Sequence, residues 1–108
     1  MEKEFRLRQG NSYIFRGELR DNCCNVLQLS NYDTITILIT SPTVHKVVIR
    51  EPDYRIEDNK IIFSLSSIQT RLFERFVRIE AELKKGDSTV IGVYDKNISV
   101  ESNNISKL

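Results

Sequence analysis

The residues of this 108-residue chain that could do chemistry are few. Cys23 and Cys24 are its two cysteines, and they are neighbours. A bridge between adjacent cysteines is strained, and two cysteines cannot staple a fold. The expected state is a pair of reduced thiols in a loop, in a chain made in a reducing cytoplasm. His45 is the single histidine, set between Val44 and Lys46. A catalytic base needs an oriented nucleophile or a carboxylate partner, and the spacing supplies neither. One histidine and two adjacent cysteines do not make a zinc pattern. Glu51, Asp53, Glu57 and Asp58 could serve as paired acids or calcium ligands, but Arg50, Arg55 and Lys60 interleave them, which is how a solvated hairpin reads. There is no nucleophile elbow, phosphate loop or dinucleotide fingerprint. The expectation is a protein that is not an enzyme, with no catalytic residue, metal or cofactor. Two glycosylation sequons, at Asn97 and Asn104, and a terminal Ser106-Lys107-Leu108 that matches a peroxisomal address are expected to be inert.

The elements that carry these residues are strands. Phe5 and Leu7 alternate with Arg6 and Arg8. Tyr13, Phe15, Gly17 and Leu19 face one way, with Ile14, Arg16 and Glu18 opposite, and Gly17 marks a bulge or a close backbone approach. Thr34 to Thr40 sets Ile35, Ile37 and Ile39 inward. His45 to Arg50 follows as a strand. Tyr54 to Glu57 and Lys60 to Leu65 flank Asp58-Asn59, a two-residue turn in which both residues tolerate positive φ. SSIQTRLFE is too short for a crossover helix and long enough to carry the chain between sheets. Beyond it Val77, Ile79, Ala81 and Leu83 form an inner row. Thr89 to Tyr94 and Asn97 to Val100 close the sheet.

This pattern predicts an all-β fold: an immunoglobulin-like antiparallel β-sandwich of seven to nine short strands, a single domain over residues 1–101 with a polar tail at 102–108. The net charge of +1 argues against a dedicated nucleic-acid binder. No apolar run is long enough for a membrane-spanning helix, and MEKEFRLRQG lacks the apolar stretch of a secretory leader. On strand parity Arg6, Arg8 and Arg16 fall on outer faces, as do Ile14, Val48, Ile62 and Phe76. An apolar patch there would mark an interaction face. Arg6, Arg8, Arg16, Ile62, Phe76 and, in the tail, Ile105 are therefore the candidate partner-binding residues.

The opening, FRLRQGNSYIFRGELRDNCCNVLQLSNYDTITILI, resembles the N-terminal domain of phage upper baseplate proteins and related virion modules. The likeness falls on Gln9 and Gly10, on Tyr13 to Leu19, on the Asp21 to Leu29 loop and on Thr34 to Ile39. YRIEDNKIIFSLSSIQT is similar to that family's hairpin and corner. This chain departs from it in the loop, where Cys23-Cys24 replaces a glycine, and near Leu72 to Glu74, where a glycine is missing. The resemblance implies an immunoglobulin-like, particle-bound module of a tailed phage, made in the bacterial cytoplasm and located in the virion. Because the chain ends soon after its last strand, the expected role is a capsid decoration or fibre adaptor. It would be present in many copies and bind the major capsid protein or fibre subunits. A baseplate component, or a small inhibitor of a host protein, is the alternative.

Overall fold

A computed structural model describes residues 3–42 and 46–101. Ten strands form two sheets. They are β1 (Lys3–Arg8), β2 (Tyr13–Gly17), β3 (Leu19–Arg20), β4 (Thr34–Thr40), β5 (Lys46–Ile49), β6 (Tyr54–Glu57), β7 (Lys60–Leu65), β8 (Phe76–Lys85), β9 (Ser88–Tyr94) and β10 (Lys96–Glu101). The small sheet has the order β2-β7-β6. The large sheet runs β1-β10-β8-β4-β5, with β9 on the same edge of β8 as β10 and β3 beyond β9. This is the immunoglobulin-like sandwich, one three-stranded sheet facing the sheet that holds the last strands of the chain.

Two features differ from the expected layout. The strands number ten, because one expected strand breaks where the chain changes neighbours. Tyr13 to Leu19 divides at Glu18: β2 pairs with β7 in the small sheet, and β3 pairs with β9 in the large one. The last edge divides at Asp95 as expected, the partner of β8 passing there from β9 to β10. The pairing is also not wholly antiparallel, since β1 runs parallel to β10, with Phe5 beside Ile98 and Leu7 beside Val100. The corner holds a single helical turn, α1 (Ser67–Arg71), which is within the expectation of nothing as long as a crossover helix.

The inner rows form the core. Phe15, Phe63 and Leu65 of the small sheet face Ile37, Ile39, Ile79, Ala81 and Leu83 of the large one, all buried. Phe15 stacks on Phe63 at 5.4 Å between ring centroids, and both meet Tyr94 edge-on at 6.2 Å. Such pairs add about 0.5–1.5 kcal/mol to the burial of the rings themselves.

The connections are held by side-chain hydrogen bonds. At the corner, Ser66 and Gln69 form a reciprocal capping box, each side chain bonding the other's backbone amide. The fully buried Thr70 hydroxyl donates to the Asn11 carbonyl at 2.7 Å and accepts from the Gly10 amide at 3.1 Å. Gln9 donates its side-chain amide to the Phe73 carbonyl at 2.6 Å. The corner and the β1–β2 turn are thereby one unit. Asp58 and Asn59 both take positive φ, at 52° and 58°. Asn59 then reaches across to accept from the Leu29 amide and donate to the Leu27 carbonyl, which fixes the connector before β4.

Gly17 is a close approach. A Cβ there would lie 2.5 Å from Asp95 Oδ1 and 2.6 Å from the Tyr94 ring. Tyr94 is wedged in the aromatic cluster and cannot yield cheaply. Gly17→Ala is expected to destabilise the fold by about 1–3 kcal/mol. Chemical denaturation checks this, and an unchanged midpoint would show that the crossing has slack.

Candidate interaction surface

The outer face of the large sheet carries a group of exposed apolar residues, while others, Ile14, Ile68 and Leu72 among them, are exposed elsewhere. Its rows follow from the register. Arg6 of β1 lies beside Ser99 of β10, which lies beside Phe76 of β8. Val48, Leu38, Glu80 and Val93 make a second row across β5, β4, β8 and β9. Thr36, Glu82 and Ile91 make a third. Phe76 is 53% exposed and Ile91 51%, with Val48 and Val93 somewhat less so. Val48 is on the edge strand β5 and Phe76 opens β8, so this apolar surface runs along the margins of the sheet, where it is open to a partner. The charges between them are paired on the surface, Arg78 with Glu80 at 3.6 Å, Lys84 with Glu82 at 3.3 Å and Arg8 with Glu101 at 3.6 Å.

The face is not flat. β8 pairs with β10 only at Phe76 and Val77, and with β9 only from Glu80 onward. Opposite Arg78 and Ile79 the edge changes strand, and a cleft of about 670 Å³ opens, lined by Phe76, Arg78, Val93, Asn97 and Ser99 among others. A smaller hollow of about 430 Å³ lies over Leu38, Val48 and Ile91.

The six residues expected from the sequence do not form one surface. Arg6, Arg8 and Phe76 share the large-sheet face. Arg16 and Ile62 lie on the outer side of the small sheet, where Arg16 pairs with Asp58 at 3.6 Å. Ile105, like His45, is outside the described residues. Ile62 has to be corrected: it points outward by parity but is only 5% exposed. It sits on the central strand with Arg16 on one side and Arg55 on the other in register. Long arginine stems lie over such a position and shield it, so Ile62 offers no contact surface. Ile14, its neighbour on the edge strand, is 76% exposed. Sequence reasoning missed Ile91 and Val93. Their signal was present: Gly92 and Tyr94 occupy the inner row of β9, and a Cβ on Gly92 would already crowd Leu27 and Leu83.

The acidic hairpin is solvated, with Glu57 bound by Arg55 and Asp58 by Arg16. Among the described residues no three histidine, cysteine or acidic side chains converge on a point that could hold a metal.

A second feature is the loop between β3 and Val26. Arg20 and Val26 bridge, and Asp21 bonds Asn25 backbone to backbone at 3.0 Å. The Cys24 amide donates to the Asp21 carbonyl, closing a turn, and Cys24 itself takes φ 67°. This is a three-residue hairpin loop, whose last position favours glycine. Asp21 Oδ1 accepts from the amides of Cys23 and Asn25, each at 2.9 Å. Both cysteine thiols are free and exposed.

No protein-family model matches this sequence, and no curated protein matches it.

Two predictions concern this loop. The amides of Asn25 and Cys23 hold the Asp21 carboxyl below its ordinary value of 3.8. A carboxyl depressed in the fold stabilises the loop above its unfolded pKa, and that contribution is lost as the pH falls through the folded one. The Cys23 and Asn25 amide resonances should therefore titrate with a midpoint below 3.8; one at or above it would contradict the bonding. Left-handed backbone costs a non-glycine residue about 1 kcal/mol, so Cys24→Gly is expected to raise stability by up to that amount, checked by thermal melting.

Proposed function

We propose that this chain is a structural module of a tailed-phage particle. It is a small, non-enzymatic capsid decoration or fibre-adaptor subunit, present in many copies, that binds other virion proteins. The observation that carries the binding role is the large-sheet face. An exposed aromatic, Phe76, stands one strand from Ser99 and two from Arg6, and Val93, Ile91 and Val48 continue the apolar surface. Aromatic and arginine side chains are the residues that dominate protein contacts. The particle context rests on the resemblance of Gln9-Gly10, the Asp21 loop and the hairpin to virion modules. Those residues do structural work in this chain: Gln9 ties the corner, Asp21 caps its loop and Asn59 pins the connector. A multi-copy subunit suits such a face, because each copy needs only a modest patch when symmetry repeats it.

On this reading the contact is side-chain packing on a sheet face. The ion pairs around the patch are exposed and worth little individually, so they can exchange partners on docking at small cost.

The test is mass spectrometry of purified particles of the encoding phage, followed by a paired variant. The chain should be found in the particle at capsid-like copy number. Phe76→Ala with Arg6→Ala should lower its occupancy there while shifting stability by no more than about 0.5 kcal/mol, as exposed positions do. Absence of the wild-type chain from particles overturns the proposal. Undiminished occupancy of a folded double variant removes this face from it.

A further inference from the structure

We propose that Cys23 and Cys24 form a vicinal dithiol that captures a thiophilic centre able to bond two sulfurs at once, trivalent arsenic being the type. This stands apart from the virion reading.

Both thiols are exposed at a loop tip. Cysteine is among the residues most often buried, and its reactivity rather than its packing usually decides whether it is kept. Neither sulfur here contributes to the core. Cys24 moreover occupies a left-handed position, at φ 67°, where glycine would be unstrained. A cysteine held there against its backbone preference is an outlier of the kind that points to use of the side chain.

The geometry favours a bridging atom over a direct bond. Adjacent Cα atoms are about 3.8 Å apart across a trans peptide, whereas a disulfide sets its Cα atoms roughly 4.4–6.8 Å apart. Closing a disulfide between these neighbours therefore strains the chain, and the pair stays reduced toward itself. Inserting one atom between the sulfurs enlarges the ring and relieves that strain. Soft thiolates select soft centres. The backbone beneath is already fixed, by Asp21 Oδ1 on the amides of Cys23 and Asn25 and by the Cys24 amide on the Asp21 carbonyl. Little ordering remains to be lost on capture beyond the two side-chain rotors. The contact that Cys23 Sγ makes, with Asn22 Oδ1 at 3.6 Å, is weak and readily given up.

The reaction needs no oxidant. An organic arsenoxide exchanges its oxygen for the two sulfurs: two As–S bonds form, the arsenic–oxygen bond breaks, and both thiol protons leave with the oxygen as one water. Arsenic stays trivalent and the sulfurs are not oxidised.

The probe is phenylarsine oxide, added in one equivalent to the folded chain in the presence of excess glutathione. Wild-type protein should retain one phenylarsenic group by mass, lose both titratable thiols, and recover both on addition of 2,3-dimercaptopropanol. Cys23→Ser and Cys24→Ser, each confirmed as folded by circular dichroism, should retain none against glutathione and keep their one remaining thiol. Surrender of the arsenical by wild-type protein to glutathione overturns the proposal. So does retention by either single variant equal to that of the wild type.

Discussion

The structure depends on one crossing, where a single apolar row serves two sheets. Tyr13, Phe15 and Gly17 belong to the small sheet and Leu19 to the large one, yet all four face the same core. The strand can change partners at Glu18 only if the backbone at Gly17 comes within contact of Tyr94 and Asp95 on the opposite side. That approach brings the Tyr94 ring against Phe15 and Phe63. A methyl group at this point would push on a ring that is itself clamped. Lys96 adds a polar tie at the same place, donating to the Arg16 carbonyl at 2.7 Å with its ammonium over the Tyr94 ring. The two sheets therefore meet through tight backbone contact as well as through layered side chains.

The other long-range ties are polar, and they sit where the chain is irregular. Thr70, Gln9 and Asn59 each satisfy backbone groups far away in sequence. A net contribution of about 1 kcal/mol for each such bond is modest. Leaving one of those buried carbonyls unpaired would cost more than the bond contributes, so these side chains specify the corner and connectors more than they stabilise them. The turn residues Gly10, Asp58 and Asn59 answer a separate need, since all three take positive φ.

Much of this was legible from alternation. The inner rows of β4, β7 and β8, the Asp58-Asn59 turn, the close approach at Gly17 and the sheet-changing corner all follow from side-chain period and backbone tolerance. What alternation cannot carry is pairing. Nothing in KEFRLR states that β1 runs parallel to β10, because that depends on residues more than ninety positions away. The break at Glu18 is likewise set by neighbours rather than by local composition. Ile62 shows the limit for the surface. Parity gave its direction correctly and its exposure wrongly: arginines stand in register on both flanks, and Ile62 is only 5% exposed. Phe76 has Ser99 as its registered neighbour across the edge and no such cover there.

That contrast bears on which face can act. Burial of an outward residue in a sheet is decided by the length of its cross-strand neighbours. On the small sheet the registered neighbours of the central Ile62 are Arg16 and Arg55, one on each flank, and long stems on both sides account for its 5% exposure. On the large sheet Leu38 lies between Val48 and Glu80, which leans toward Arg78, and Val93 lies between Glu80 and Arg20, so no outward apolar residue there has an arginine on both flanks. The apolar surface there is left open and is rimmed by charges already paired among themselves. An exposed ion pair can be rearranged for a fraction of a kcal/mol, while each buried methylene returns about 0.8 kcal/mol. Covering the large-sheet face is therefore favourable, while on the small sheet the central strand is already covered and only the edge residue Ile14 stands open.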